Sequence, residues 1–156
     1  MSNLNVVHAG PAANVAPICR EAKIKAAQVI YPGYLVEYSS GEWQVQSTEG
    51  QGGDFYIANL NQIEQKNATT ALTAGDNAQV FVPQVGDMYV LVLQDGETAV
   101  LGSPLTSNGD GTVKVSATDG TEANLFSAEE ALSPSGADGR ILARYTGVTI
   151  SADTTA

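Results

Sequence analysis

Turn signals recur along this chain roughly every 8 to 12 residues and divide it into short runs in which apolar and polar residues alternate. Ser-Gly, Gly-Gly and Asp-Gly pairs supply many of these breaks. The 16 glycines and the frequent Thr and Val residues agree with strands joined by tight turns. The pattern predicts an all-β protein, a small β-barrel or sandwich of about eight short strands. A chain of 156 residues is long enough for one domain with a substantial core.

Two stretches give specific strand predictions. In "YPGYLVEYSSGEWQVQS", alternating runs on either side of a Ser-Gly turn at residues 39–41 predict a β-hairpin. The run "MYVLVL" at residues 88–93 is apolar on both faces, which is typical of a central strand that is covered on two sides. The Asp-Gly pair at residues 95–96 then predicts a tight turn and a return strand over residues 98–101.

The C-terminal part of the chain contains one helix signal and one further strand signal. The stretch "SAEEAL" at residues 127–132 predicts a short helix, with Ser127 as its N-cap and Glu130 completing a capping box. The run "RILARYTGVTI" at residues 140–150 predicts the final strand, and a short tail follows at 151–156. The sequence therefore predicts a mainly β fold with at most one short helix.

Residues 1–22 differ from the rest of the chain because they show no clear period and contain several Ala, Asn and Pro residues. Such a terminus is either a disordered tail or an extended arm that becomes ordered on a partner. It is more apolar than a solvated tail needs to be, and the candidate anchors of an arm are Val6, Val7, Pro11, Val15, Pro17 and Ile18. We therefore divide the chain into an N-terminal arm at 1–22, a barrel domain at 23–150 and a C-terminal tail at 151–156.

The composition argues against several classes of function. The chain has seven basic and 17 acidic residues, which give a formal net charge of -10. Binding to nucleic acid or to an anionic membrane is therefore not expected. No stretch reaches the ~18 apolar residues of a transmembrane helix. The N-terminus lacks the basic start and apolar run of a signal peptide, which predicts synthesis in a cytoplasm. A single cysteine, Cys19, excludes an internal disulfide.

The stretch "TSNGDGTVKVSA" alternates oxygen-bearing residues and glycines, as calcium loops do. A calcium loop of the EF-hand type has carboxylates at its first, third and fifth positions, glycine at the sixth and glutamate at the twelfth. With Gly111 at the glycine position, the first and last ligand positions fall on Thr106 and Ala117. Only Asn108 and Asp110 then fit the pattern, so we expect a glycine-rich turn and no metal.

No catalytic arrangement stands out in the sequence. The one histidine and the one cysteine, His8 and Cys19, lie in the predicted arm, where a catalytic pair would not be preorganised. Lys66 and Lys114 lack the flanking residues of a lysine that carries lipoyl or biotin. A hydrolytic pair of distant carboxylates stays open, but no feature favours it. We therefore expect no enzyme activity and no cofactor.

Four stretches, taken together, resemble a known family. They are "IYPGYLVEYSSGEWQVQS", "LTAGDNAQVFVPQVGDMYVLVLQDG", "VLGSPLTSNGDGTVKV" and "ANLFSAEEALSPSGADGRILARYTG". In turn spacing and strand pattern, over roughly residues 24–150, the chain resembles the head decoration, or capsid cement, proteins of tailed bacteriophages, which have a β-tulip-like barrel. Val85, Gly86 and Asp87 stand where that family has a Pro-Gly-Asp-like turn.

The resemblance implies a structural protein on the outer surface of the virion head. Such proteins clamp neighbouring major capsid proteins against the pressure of packaged DNA, and they commonly form trimers. In several members an N-terminal arm reaches onto a neighbour and adds a strand or packs in a groove. The implied partners are therefore the major capsid protein and further copies of this chain in a homotrimer.

Two other interpretations stay open. A tail or baseplate β-module of a phage would have the same composition. A sugar-binding or hydrolytic β-domain, which belongs to a different class, would require a pocket with clustered carboxylates or stacked aromatic rings.

Overall fold

The structure, a computed structural model, describes residues 7–10, 17–60 and 67–150, with the backbone alone at residues 8–10. Within these ranges every regular element is a β-strand, which confirms the all-β prediction. The same ranges contain no helix that is long and apolar enough to cross a membrane. The strands are β1 (His8–Gly10), β2 (Cys19–Ile24), β3 (Val29–Ile30), β4 (Leu35–Ser39), β5 (Glu42–Val45), β6 (Tyr56–Ala58), β7 (Leu72–Thr73), β8 (Asn77–Phe81), β9 (Met88–Leu93), β10 (Pro104–Ser107), β11 (Val113–Val115), β12 (Ala123–Ala128) and β13 (Gly139–Ile150).

The strands form a closed barrel, a larger sheet and a two-stranded ribbon. The barrel has the order β2-β5-β4-β6-β8, and the six-stranded sheet has the order β1-β9-β11-β10-β12-β13. An additional pairing joins β9 to β13, and β3 pairs with β7 to make the ribbon. The predicted small barrel is therefore present, with a second sheet packed beside it.

Successive side chains of a β-strand point to opposite faces. A single barrel strand therefore contributes side chains to two different cores. Three buried barrel residues belong to the core that includes the six-stranded sheet: Leu35, Ile57 and Phe81. The residue beside each of them in sequence belongs instead to the core that fills the barrel: Val36, Ala58 and Val80. Trp43, which is 1% exposed, is the largest side chain of this second core.

A tight turn brings the barrel backbone against the six-stranded sheet. Tyr34 N donates to Tyr31 O at 3.0 Å, and Gly33 has a φ of 90°, as a type II turn with Pro and Gly at its centre requires. A Cβ placed on Gly33 would lie 2.7 Å from the carbonyl oxygen of Val90. The two backbones approach so closely that only glycine fits between them.

Two further contacts complete this junction. The Nη2 atom of Arg140 donates to Pro32 O at 2.8 Å and also to Ala68 O. Leu35 N donates to Gly111 O at 2.8 Å. We call the contact of residues 31–35 with Val90, Gly111 and Arg140 the seam.

Three of the specific strand predictions are confirmed. The hairpin is β4-β5, in which Tyr38 pairs with Trp43. The run "MYVLVL" is β9, a central strand that pairs with β1, β11 and β13. The final strand is β13, which begins one residue earlier than predicted.

The predicted return strand at residues 98–101 is wrong. After β9 the chain makes turns, and Ala99 forms only an isolated bridge with Leu132. The edges of β9 are taken by strands from distant parts of the chain, which leaves no place for a local hairpin. At the tip, Asp95 N donates instead to Asp138 Oδ1 at 2.8 Å.

The predicted helix at residues 127–132 is also wrong. Ser127 belongs to β12, where it pairs with Pro104 on one edge and with Arg144 on the other. Glu130 does not close a capping box, because its Oε1 atom accepts a hydrogen bond from Leu142 N at 2.8 Å. Pairing on both edges satisfies the β12 backbone and overrides the local helix signal.

Because of the seam, we expect two glycine-to-alanine substitutions to lower the free energy of unfolding by unequal amounts. Gly111 has a φ of 90°, and a Cβ there would lie 2.5 Å from Cδ2 of Tyr34. Gly136 has a similar φ of 85° but open space around it. Gly136→Ala should lower the free energy of unfolding by about 1 kcal/mol through left-handed strain alone. Gly111→Ala should lower it by about 3 kcal/mol, since overpacking adds to the strain.

Urea unfolding of the two variants and the parent protein measures this difference. Equal losses of unfolding free energy in the two variants would mean that Gly111 is not packed as closely against Tyr34 as described.

Candidate functional site

The described anchors of the predicted arm do not share one environment. Val7 is 1% exposed and packs in the core of the six-stranded sheet, and its carbonyl accepts a hydrogen bond from Val90 N at 2.6 Å. Pro17 is exposed, and Ile18 is 53% exposed. The other three anchors lie outside the described residues: Val6, Pro11 and Val15.

Both described pieces of the predicted arm are joined to the body of the protein. His8 pairs with Tyr89 as β1 adds to the edge of β9. β2 runs from Cys19 to Ile24, so the predicted boundary at residue 22 falls inside a barrel strand. Ile18 O accepts a hydrogen bond from Val82 N at 2.9 Å, which places this residue beside the connection from β8 to β9.

This connection, residues 82–87, is the border loop. Its backbone is held at Gly86, where the N–H donates to Tyr145 O at 2.8 Å, and at Asp87, whose carbonyl accepts from Tyr145 N at 2.9 Å. Gln84 N donates to the Tyr89 hydroxyl at 3.3 Å. Burial, helped by the nearby Asp87 carboxylate, raises the pKa of Tyr89 to about 12. The Tyr89 phenol therefore stays protonated, and its oxygen accepts the hydrogen bond from Gln84 N that holds the loop.

Beside the border loop, β13 extends beyond the end of its neighbour β9. Its pairing with β9 ends where Arg144 meets Met88, whereas its pairing with β12 continues to Ile150. Within the described ranges, residues 146–150 therefore have a strand partner on one edge only. Such an open edge can pair with the backbone of another chain.

Three exposed apolar side chains lie at this open edge and a fourth lies beside the border loop, and we call the four the apolar end. They are Ile18, Val85, Val148 and Ile150, with exposed fractions of 53%, 67%, 50% and 69%. Val85 lies on one face of β13, because its Cγ2 atom is 3.5 Å from the position of a Cβ on Gly147. Val148 lies over the opposite face, beside Gly52. An open strand edge flanked by apolar side chains is typical of a protein–protein contact surface.

The glycine-rich stretch forms a self-contained turn. Asp110 Oδ1 accepts hydrogen bonds from Thr112 N at 2.9 Å and from Thr112 Oγ1 at 2.5 Å. Asp110 Oδ2 accepts from the Asn108 side-chain amide at 3.1 Å. Both carboxylate oxygens thus stabilise the turn itself. Among the described residues, no group of three His, Cys, Asp or Glu side chains could hold a metal ion.

Cys19 is placed poorly for nucleophilic chemistry. It lies in β2 opposite Phe81, whereas His8 lies in β1 of the other sheet. Partial burial, together with the negative charge of Glu21, raises the pKa of the Cys19 thiol. The reactive thiolate is therefore disfavoured.

The turn at Asp110 generates a test that separates a capping role from a metal-binding role. Asp110→Ala should lower the free energy of unfolding by about 1 kcal/mol, because the Thr112 N–H loses its acceptor. Asp110→Asn, the matched control, keeps the Oδ1 acceptor for Thr112 and loses only the Oδ2 acceptor for the Asn108 amide, so it should cost less than Asp110→Ala. Thermal unfolding with and without millimolar calcium measures both effects. Stabilisation by calcium that disappears in Asp110→Asn would contradict the assignment as a turn.

Comparisons with known proteins bear on the fold. No protein-family model matches this chain, and no curated protein matches it. Among solved structures, the chain is similar to the N base of the head fiber gp8.5 from bacteriophage phi29, with a TM-score of 0.54 and 17% sequence identity. The similarity covers 83% of this chain and 95% of that chain. The two proteins therefore share a fold across nearly the whole of the phage domain.

Proposed function

We propose that this chain is a structural protein of a bacteriophage virion that binds the exterior of the assembled head and cements neighbouring major capsid proteins. The observation that carries the proposal is the fold shared with a phage head-fiber base, which spans 95% of that domain. The resemblance of four sequence stretches to capsid decoration proteins supports the same role independently. A tail or baseplate role is the second candidate, and the neighbour's place in a head fiber favours the head.

The apolar end supplies a surface suited to this role. A capsid segment that paired with residues 146–150 would gain backbone hydrogen bonds along the open edge, while Val85 and Val148 would pack on its two faces. Ile18 borders the same region, so the exposed part of the predicted arm would take part in the contact. In this proposal Val7 has a different role, because its side chain fills the core of its own chain.

The charge of the chain agrees with a position outside the head. A net charge of -10 gives no affinity for packaged DNA, whose phosphates repel it. Repeated weak contacts on a symmetric shell strengthen one another, so cementing does not need one tight site. A homotrimer would increase this avidity further. No enzymatic step is required for such a role.

The proposal predicts that the protein binds expanded heads of its phage, and not unexpanded precursors, and raises the temperature at which heads break open. A double variant, Val148→Asp with Ile150→Asp, should weaken binding about 10- to 100-fold, because it places charges at an apolar contact. Cosedimentation of purified protein with heads measures the affinity, and thermal release of DNA measures cementing.

Leu101→Asp is the matched control. Leu101 is 70% exposed and lies at the other end of β12, where Gly102 N bonds to Ala128 O. This variant should bind heads as the parent does. If the double variant and the control bind equally, the apolar end is not the capsid contact. If the parent protein binds neither form of the head, the head role itself is wrong.

The role of the predicted arm is tested best by a point substitution. Deleting residues 1–22 would remove Val7 from the core and four residues from β2, so loss of binding could reflect misfolding. Ile18→Asp changes an exposed side chain and leaves both strands intact.

A further inference from the structure

A cleft of about 360 Å³, which we call the tyrosine cleft, opens beside the seam, at the end of β9 that lies away from the border loop. Its volume falls within the range of small-molecule sites in proteins. Segments that lie far apart in sequence meet there. The residues that line it are Tyr31, Tyr34, Thr69, Val92, Ala137, Asp138 and Arg140.

Part of the lining of the cleft is aromatic and apolar. The rings of Tyr31 and Tyr34 lie 5.4 Å apart between centroids, and Tyr31 is 38% exposed. Val92 adds an aliphatic surface that is 7% exposed. Burial foremost, and then the carboxylates of Asp138 and Asp110, raise the pKa of Tyr34 to about 12. The Tyr34 hydroxyl is therefore neutral and can both donate and accept hydrogen bonds.

Arg140 supplies a fixed positive charge. Its Nη2 atom is held by the carbonyls of Pro32 and Ala68, which locks the guanidinium in place. Its Nη1 atom is buried and has no hydrogen-bond partner among the residues that the structure describes. Burial lowers the pKa of Arg140, but a guanidinium stays charged and can only donate hydrogen bonds. No carboxylate among the described residues forms an ion pair with it.

Asp138, at the exposed rim of the cleft, supplies a negatively charged hydrogen-bond acceptor. Its Oδ1 atom accepts from Asp95 N at 2.8 Å, which fixes the carboxylate. No described group donates a hydrogen bond to its Oδ2 atom, so this oxygen can accept one from a ligand. An ionised carboxylate can only accept hydrogen bonds.

We propose that this cleft binds a neutral saccharide. A ligand there meets the Asp138 carboxylate, which only accepts hydrogen bonds, and the Tyr34 hydroxyl, which both donates and accepts them, and sugar hydroxyls can pair with each. The apolar face of a sugar ring would pack on Tyr31. Asp138 and the net charge of -10 disfavour an anionic ligand, and Arg140 disfavours a cationic one. This inference does not depend on the proposed head role, since it follows from the cleft alone.

Amide chemical-shift titration of the 15N-labelled protein tests the proposal. The probes are free glucose, galactose, N-acetylglucosamine and rhamnose, with inorganic phosphate and choline as charged comparators. At least one sugar should produce saturable shifts at the amides of Thr69 and Asp138. Phosphate and choline should leave these amides unchanged.

Two variants and one control connect binding to the cleft. Tyr31→Ala should weaken sugar binding about tenfold, because the stacking face is lost. Asp138→Asn keeps the Oδ1 acceptor for Asp95 N, and should weaken binding while the spectrum elsewhere is preserved. The control is Tyr38→Ala, which removes another exposed tyrosine, on β4, and should bind as the parent does.

Three outcomes would overturn the proposal. The first is an absence of shifts at the cleft with all four sugars. The second is binding of phosphate or choline in place of a sugar. The third is sugar binding of equal affinity in Tyr31→Ala and Tyr38→Ala. None of these outcomes bears on head binding, so the two proposals fail separately.

Discussion

The close approach of Gly33 to the carbonyl of Val90 is the contact on which the rest of the structure depends. It lets the barrel and the six-stranded sheet meet backbone to backbone, with no side chain between them. Arg140 secures the contact from the sheet side by holding Pro32 and Ala68. Because the guanidinium bonds to two separate segments, the seam also fixes the segment before β7 relative to the barrel.

The two candidate surfaces lie near opposite ends of strand β9. Its first residue, Met88, lies at the border loop, where the pairing of β9 with β13 ends and the apolar end begins. Near its other end, Val92 lines the tyrosine cleft. One buried strand thus places a surface suited to protein contact and a surface suited to a small ligand at opposite ends of the sheet. In the proposed virion, one end would face the shell while the other stayed open to solvent.

Much of this fold follows from local patterns in the sequence. The β4-β5 hairpin, the central position of β9 and the length of β13 all come from alternation, run length and turn residues. The errors have a common cause. "SAEEAL" has a helix signal, but β10 and β13 pair with the backbone of β12, and neither partner is local in sequence. The turn at 95–96 has no return strand at 98–101 for the same reason, because distant strands occupy the edges of β9.

The candidate sites were less accessible to sequence reasoning than the fold. The apolar character of the N-terminal segment points to Ile18, which is exposed, but it points equally to Val7, which is buried. The cleft depends on Tyr31, Thr69 and Asp138, which are far apart in sequence and carry no common motif. Their convergence follows from the seam, whose local traces in the sequence are the Pro-Gly pair at residues 32–33 and Gly111.

A near-atomic map of the virion tests most directly whether this chain is a head cement. The density for the chain should lie on the outer surface of the head, with residues 146–150 and Val85 against the major capsid protein and the tyrosine cleft facing solvent. Density in the tail or baseplate, or on the head with the apolar end facing solvent, would contradict the proposed function.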